Sequence, residues 1–373
     1  MLRDKDFWRG VAAIVGTVVG AGILAIPHVF AKVGFLTGVL SLIVIGALSL
    51  LVLLYMGEVA LRTKETLQVV GLVGKYLGKK AKTLMLCFQV IGIYGALIAY
   101  LIGIGTTIEA LIGGNSLIWS TVFFTITFPI IYMGIKVVEK TEFFLSYLKI
   151  LLILLLCSLL IPRVNLNNLS GLDPSKILLP YGVLIFACTG YSVIPNLERM
   201  LEKRREIMKD VMIYGMLICI FIYFLFALAF VGAFGQEVAE IATQSFREPN
   251  LSTFSLITTL FLLTTPYIIL AWVLKDTFIF DYNLPKPIPI LLACLVPFLI
   301  MFFANPGFTR MLEISGGYAG SLTYFIFCFL VKAARKKGDD KPSFVVPWGD
   351  KPLYFIIILG ILGIICTTLE ILG

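Results

Sequence analysis

A single lysine interrupts a long uncharged run: Lys149, in EFFLSYLKILLILLLCSLLIP, is followed by only 12 residues before Pro162. That is too few to cross a bilayer core, which takes about 20. The helix carrying Lys149 is therefore expected to start near Phe143 and to hold the ammonium roughly 10 Å in from its inner end, at about 1.5 Å per residue. An ionisable group at that depth costs at least about 2.5–3.5 kcal/mol on insertion scales and marks function by default. The alternative is that its flexible stem snorkels to the interface. Two other patterns offer polar backbone instead of polar side chains. GTVVGAGILAIPHVF has Gly16, Gly20 and Gly22 ahead of Pro27, and LPYGVLIFACTGYSVIPNL has Gly182, Thr189 and Gly190 ahead of Pro195. Glycine lets the chain leave helical geometry and lets a ligand approach closely. Backbone groups freed at membrane depth are tolerated only where they are buried in protein or line a cavity. Taken one at a time, each stretch can also be read as close helix packing through small residues.

These residues belong to a chain of 373 residues that is 59% apolar, with mean hydropathy +1.00 and only 14% charged residues. Soluble domains do not reach such values. The uncharged stretches predict an all-α polytopic membrane protein with 11 transmembrane helices, near 8–31, 36–61, 83–112, 117–134, 142–161, 178–198, 210–234, 251–274, 288–304, 310–332 and 352–372. The first span is too long for a signal-peptide core and no cleavage pattern follows it, so it is expected to remain. The two glycine-rich breaks fall in spans 1 and 6. Five is an odd number, so a five-helix repeat starting at span 6 enters the membrane inverted relative to span 1. Paired interrupted helices in corresponding positions point to an inverted-repeat transporter with its site at the midplane. One transporter domain over 1–373 is expected, with repeat one about 8–161, repeat two about 178–332 and an extra helix about 352–372. With the N-terminus cytoplasmic and the C-terminus outside, the inner segments hold 24 Lys/Arg and the outer segments 5, Lys149 being the remaining one of 30. That bias follows the positive-inside rule. The net charge of +8 thus marks a membrane face and not a nucleic-acid partner.

GTVVGAGILAIPHVFAKVG in span 1, MGEVALR closing span 2 and FACTGYSVIPNLERM in span 6 resemble the amino acid/auxin permease family, within the amino acid–polyamine–organocation superfamily. From RVNL through span 6 the chain is most similar to the prokaryotic hydroxy/aromatic amino acid permeases. The resemblance implies the LeuT-type fold, alternating access, and an amino acid bound between the unwound parts of spans 1 and 6. Amides near Gly20, Ala21 and Gly22 then suit the carboxylate, helped by the positive end of the outer half-helix. Carbonyls around Val18, Phe186 and Ala187 suit the ammonium, and Tyr94, Phe186 and Thr189 are among the residues left to select the side chain. In the superfamily, carbonyls of span 1 and hydroxyls of span 8 can hold sodium, and some members place a span 5 lysine there instead. Gly16, Val19, Thr264, Thr265 and Lys149 match those positions. Each threonine can equally bond back to its own helix. A permanently charged Lys149 would repel a second cation in low dielectric, and burial disfavours its charged form. Both favour a coupling proton over sodium. His28, the one histidine, stands where the family commonly has an aromatic residue, and is read as lining or packing.

Other classes fit less well. One histidine excludes H-E-x-x-H chemistry, and there is no paired aspartate at mid-depth and no serine–histidine pair of plausible depth, so no enzyme and no cofactor is expected. A channel would need a repeated filter or charged rings. Metal transporters of the same fold need an Asp-Pro-Gly in span 1 and a Met in span 6. Here the breaks read Gly-Ala-Gly and Cys-Thr-Gly, leaving Cys188 as the one soft ligand. The seven scattered cysteines form neither a disulfide framework nor a metal motif. A transport-dead amino acid sensor on the same scaffold remains an alternative. Glu58 and Glu198 are expected to pair with Arg62 or Arg199, and Glu109, Glu313 and Glu370 to lie at interfaces.

Overall fold

The computed structural model describes residues 5–372 apart from 66, 134, 135, 281, 283, 286 and 348, and the side chains within that range apart from 136–146, 280 and 372. Among the described residues the regular structure is helical throughout. Span 1 is α1 (Lys5–Val18), a 3-10 turn (Ala21–Ala25) and α2 (Ile26–Val33), bent by 53° at the break. Gly34, with φ +90°, turns the chain straight into α3 (Phe35–Leu61). A Cβ there would also stand 2.7 Å from the Gly171 carbonyl oxygen, so both conformation and space require glycine. A short amphipathic helix, α4 (Val69–Leu77), follows between the second and third predicted spans. Next come α5 (Lys79–Ile112), α6 (Ser116–Met133) and α7 (Lys136–Leu160).

Span 6 is again broken: α8 (Tyr181–Cys188), a 3-10 turn (Tyr191–Val193) and α9 (Ile194–Met200). In each break glycine releases the chain and a proline opens the next helix, where a missing N–H costs nothing. Then run α10 (Met208–Phe234) and α11 (Pro249–Phe280). Span 9 is α12 (Ile288–Ile290), a π-helical stretch (Leu291–Leu295) and α13 (Val296–Ala304). Span 10 is α14 (Phe308–Glu313), a longer π-helical stretch (Ile314–Gly320) and α15 (Ser321–Lys337). Last comes α16 (Lys351–Leu372).

All eleven predicted stretches fall on helices or broken helices. Seven of these, among the described residues, are by themselves long and apolar enough to cross a membrane, and the bent pair in span 1 makes eight. The halves of span 6 and the 17 residues of Ile288–Ala304 are too short alone for that measure. One boundary needs correcting. The helix of Lys149 begins at Lys136, not near Phe143, because a helix does not stop where its apolar stretch does. Lys149 therefore lies 13 residues from the helix start, about 20 Å at 1.5 Å per residue. The deepest packing surrounds the breaks: Ala21, Ile23, Leu24, Ala25 and Ile26 of span 1, Leu184, Ile185 and Cys188 of α8, and Tyr223 and Phe226 of α10 are all fully buried.

Candidate functional site

The two breaks cross in contact. A Cβ on Gly22 would stand 2.9 Å from Cα of Ala187 and 3.1 Å from the Phe186 ring. Reciprocally, a Cβ on Gly190 would stand 2.6 Å from a methyl of Val18. Each glycine is there so that the other break can lie against it. Gly20, by contrast, has nothing within 4 Å of where its Cβ would be, and its backbone is extended (φ −126°, ψ −153°). The crossing therefore has one open side, at Gly20.

The backbone around that opening is partly unspent. The first bond of the 3-10 turn runs from the Ile23 N–H to the Gly20 carbonyl at 3.3 Å, so the amides of Ala21 and Gly22 precede it and have no intrahelical acceptor. At the end of α1, the Val19 N–H takes the Val15 carbonyl at 2.9 Å, which leaves the following carbonyls, Gly16 among them, without an intrahelical donor. Two carbonyls expected to face an ammonium do have a partner. The hydroxyl of Tyr223 on α10 donates to Val18 at 2.7 Å and to Ala187 at 2.6 Å. The Phe186 carbonyl is approached by the Thr189 N–H at 3.4 Å, and the Thr189 hydroxyl donates to Ile185 of its own helix at 2.7 Å. Phe186 and Thr189 are half-buried. Tyr94 points elsewhere: its hydroxyl donates to the Leu292 carbonyl, in the π-helical part of span 9, at 2.6 Å.

Span 10 supplies a third wall. Its π-helical stretch packs Gly316 against the Gly182 carbonyl and the Phe186 amide, and the Ser315 hydroxyl donates to the Gly92 carbonyl of α5 at 2.7 Å. Such π-helical insertions are frequent at functional sites. Lys149 is buried on α7, which packs against both α1 and α11. Thr264 and Thr265 on α11 are half-buried, and the Thr265 hydroxyl bonds back to Phe261 at a long 3.4 Å. His28 is half-buried with Nδ1 2.9 Å from the Val238 carbonyl, an acceptor, which makes Nδ1 the protonated nitrogen. At the Lys/Arg-rich end, Glu58 does pair with Arg62, and also with Arg335 on α15. Glu198 pairs with Arg205, not with Arg199. Among the described residues no group of three or more His, Cys, Asp or Glu could hold a metal ion.

Sequence reasoning passes over Tyr223 entirely. One phenol in ICIFIYFLF reads as packing, and the only cue is that a hydroxyl in such a run must find a partner.

Residues 3–367 match the family described as the tryptophan/tyrosine permease family. The chain is 24% identical over 349 residues to "Glutamine transporter 2" of Aliivibrio fischeri, covering 87% of this chain and 88% of that one. It is 27% identical over 386 aligned positions to "Tyrosine-specific transport system 1" of Haemophilus influenzae, covering 94% and 93%. Its fold is similar to that of a mutant manganese transporter of Eremococcus coleocola, with TM-score 0.63, 11% identity, and coverage of 99% of this chain and 88% of the other. At that identity the likeness is one of fold alone.

Proposed function

The chain belongs to the tryptophan/tyrosine permease family, and on that premise we propose that this amino acid permease imports neutral or aromatic amino acids across the cytoplasmic membrane by alternating access. The observation that carries the reading is the crossing at Gly22 and Gly190, with the amides of Ala21 and Gly22 unspent beside the opening at Gly20. Helix-start amides favour a carboxylate. The carbonyls of Val18 and Ala187, at the ends of two half-helices, favour an ammonium. Phe186 and Thr189 are then the residues that select the substrate's side chain, and Tyr94 acts through span 9. The bundle is read as five plus five helices, α1–α7 and α8–α15, with α16 appended. The Lys/Arg-rich end is the cytoplasmic one, which puts the N-terminus inside and the C-terminus outside.

Proton coupling through Lys149 is part of the same proposal. The burial of Lys149 on α7, a helix that packs against α1, α10 and α11, supports it. A lysine that releases its proton there would loosen α1 against α7 and α11 and so ease the inward path. The carbonyls of Gly16 and Val19 and the hydroxyls of Thr264 and Thr265 are the groups proposed to hold its charged form. Sodium held by those same carbonyls and hydroxyls is the rival.

Uptake of L-tyrosine, L-tryptophan and L-glutamine into proteoliposomes, with proton and sodium gradients imposed separately, tests the whole. Uptake is expected without sodium, to rise with an inward proton gradient, and to lose that dependence in Lys149→Ala. Stimulation by sodium alone, at clamped pH and voltage, contradicts the proton assignment. Gly20→Leu tests the site directly. The side chain enters open space from an extended backbone that any residue adopts, so the protein should fold and insert while binding is lost. Gly22→Leu is a poorer probe, since it collides with Ala187. Decarboxylated analogues should fail to compete, and tight competition by them would sink the carboxylate assignment.

A further inference from the structure

The two half-helices α1 and α8 both end at the crossing, and a helix's C-terminal carbonyls carry its partial negative charge. Two such ends brought together repel, and both are buried away from water. The oxygens of Val18 and Ala187 nevertheless converge on one atom, the phenol oxygen of Tyr223, at 2.7 and 2.6 Å. Tyr223 is fully buried. Its partners come from positions 205 and 36 residues away in sequence, one from each break, and none from its own helix. The helix that carries it, α10, runs packed along α1, α2 and α8, and a Cβ on its Gly215 would stand 2.9 Å from Ile14. The hydroxyl is thus set in a rigid frame between the two breaks.

We propose that Tyr223 is a positioning residue for the substrate's amino group: it holds the Val18 and Ala187 carbonyls at the separation that a single ammonium can bridge. This rests on the amino acid permease reading above. The chemistry is a matter of counting. One O–H hydrogen is shared between two carbonyls, and each carbonyl has two lone pairs, so one lone pair on each stays free. Because both oxygens lie within 2.7 Å of the phenol oxygen, their separation cannot exceed the sum of the two bonds. An ammonium donating to both at about 2.9 Å needs no wider spacing. The phenol also offsets part of the repulsion between the helix ends with a fixed neutral dipole. No cation is then needed to draw the two breaks together.

The test is a cycle between protein and ligand. Binding of L-tyrosine is compared with that of 3-(4-hydroxyphenyl)propionate, its deaminated analogue, in wild type and Tyr223→Phe. In wild type the amino acid should bind the more tightly. In Tyr223→Phe its affinity should fall about tenfold, the cost of leaving buried acceptors badly placed, while that of the deaminated acid stays within about twofold. A purely structural tyrosine would weaken both ligands alike, and that outcome, or no change in either, overturns the proposal. Should Tyr223→Phe not fold, 4-aminophenylalanine incorporated at position 223 keeps the shape and offers one N–H to each carbonyl. It should keep L-tyrosine affinity within about threefold, and a tenfold loss there overturns the proposal equally. If wild type binds none of L-tyrosine, L-tryptophan and L-glutamine, the permease reading fails and this inference with it. If wild type binds one of them and the variants do not discriminate, only the role of Tyr223 fails. The amino acid that wild type binds, with its own deaminated analogue, is the pair to use.

Discussion

The two ends of the bundle are closed by different chemistry. At the Lys/Arg-rich end, Glu58 of α3 has no exposed surface and accepts four hydrogen bonds: from Arg62 at 3.0 Å, from two nitrogens of Arg335 at 2.9 Å each, and from the Val346 amide at 3.0 Å. Glu198 of α9 meets Arg205, which also reaches Asp340 at 3.0 Å. Asp339 takes Lys75 at 2.8 Å and the Lys64 amide at 3.0 Å, and the amides of Asp339 and Asp340 both donate to the Arg62 carbonyl. The segment between α15 and α16 is thereby strapped across the ends of α3, α4, α9 and α15. At the opposite end, the segment between α10 and α11 is tied to span 1 through bonds that need no formal charge, and its Glu240 carboxylate accepts the Thr309 amide of α14 at 2.6 Å. His28 holds the Val238 carbonyl at 2.9 Å and Gln236 the Ala31 carbonyl at 2.7 Å. The Thr243 and Thr259 hydroxyls meet at 2.5 Å, and Gln244 reaches Thr106 and Thr107 at 3.1 and 3.2 Å. The ion pairs at this end among the described residues, Arg163–Glu248, Lys176–Asp173 and Arg247–Glu237, are exposed. A buried charge network is costly to leave half made, whereas neutral bonds of about 1 kcal/mol can be given up one at a time. Under the transport reading, one end opens as a unit and the other opens stepwise.

The largest effect is expected at the strap. Glu58→Ala leaves two guanidinium groups without their buried partner and should destabilise the protein by about 3–5 kcal/mol, read as a loss of thermal stability in detergent. A loss below about 1 kcal/mol would mean that Arg335 and Arg62 are already hydrated, and the contrast between the ends would collapse.

How far the sequence shows this contrast depends on the distance between partners. The breaks are legible because glycine and proline act locally, and the Glu58–Arg62 pair is legible as i,i+4 neighbours on one helix face. Glu198–Arg199 is a poor pair for the same reason, since adjacent helical residues point about 100° apart. Arg205 lies beyond the end of α9, where the chain turns back to reach Glu198. Arg335 is 277 residues from Glu58, and nothing local announces their meeting. Lys149 stands out as a lone charge in apolar surroundings, but the start of its helix does not, because the charged turns before the apolar stretch are helical too. The reciprocal fit of Gly22 with Ala187 and of Gly190 with Val18 depends on how two separate breaks cross. Each break shows in the sequence, but the crossing does not.

An intermediate effect is expected at the opposite end. Gln244→Ala removes two neutral bonds and Thr243→Val removes one, so each should cost about 1–2 kcal/mol, measured by the same thermal unfolding. In a hydrogen-exchange comparison, each should expose only part of the segment between α10 and α11. Complete loss of its protection from either change would show that this end also opens as a unit.

The smallest effect is a pH dependence confined to the strap. The Lys75 ammonium, followed by the Lys64 amide, holds the Asp339 carboxyl below the usual range, and the Lys341 amide with Arg205 does the same for Asp340. The groups facing them are Lys64, Lys75 and Arg205, with Glu65 also 3.8 Å from Lys75. A carboxyl depressed in the folded state contributes stability that is fully present above its unfolded value, about 3.9, and that fades as pH falls through the lower folded value. Both carboxyls reach solvent, so the pairs are screened and each contributes little. Hydrogen exchange, corrected for its intrinsic pH dependence, should therefore show constant protection of residues 338–347 from pH 7 to about 5. Below about pH 4 it should fall by a few-fold. Residues 241–246, held by hydroxyls and an amide, should show no such step. Asp339→Asn should remove part of the step and leave the Glu58 network in place. A transition near pH 6, or one shared by both ends, would place the pH-sensitive group elsewhere, with His28 the first to examine.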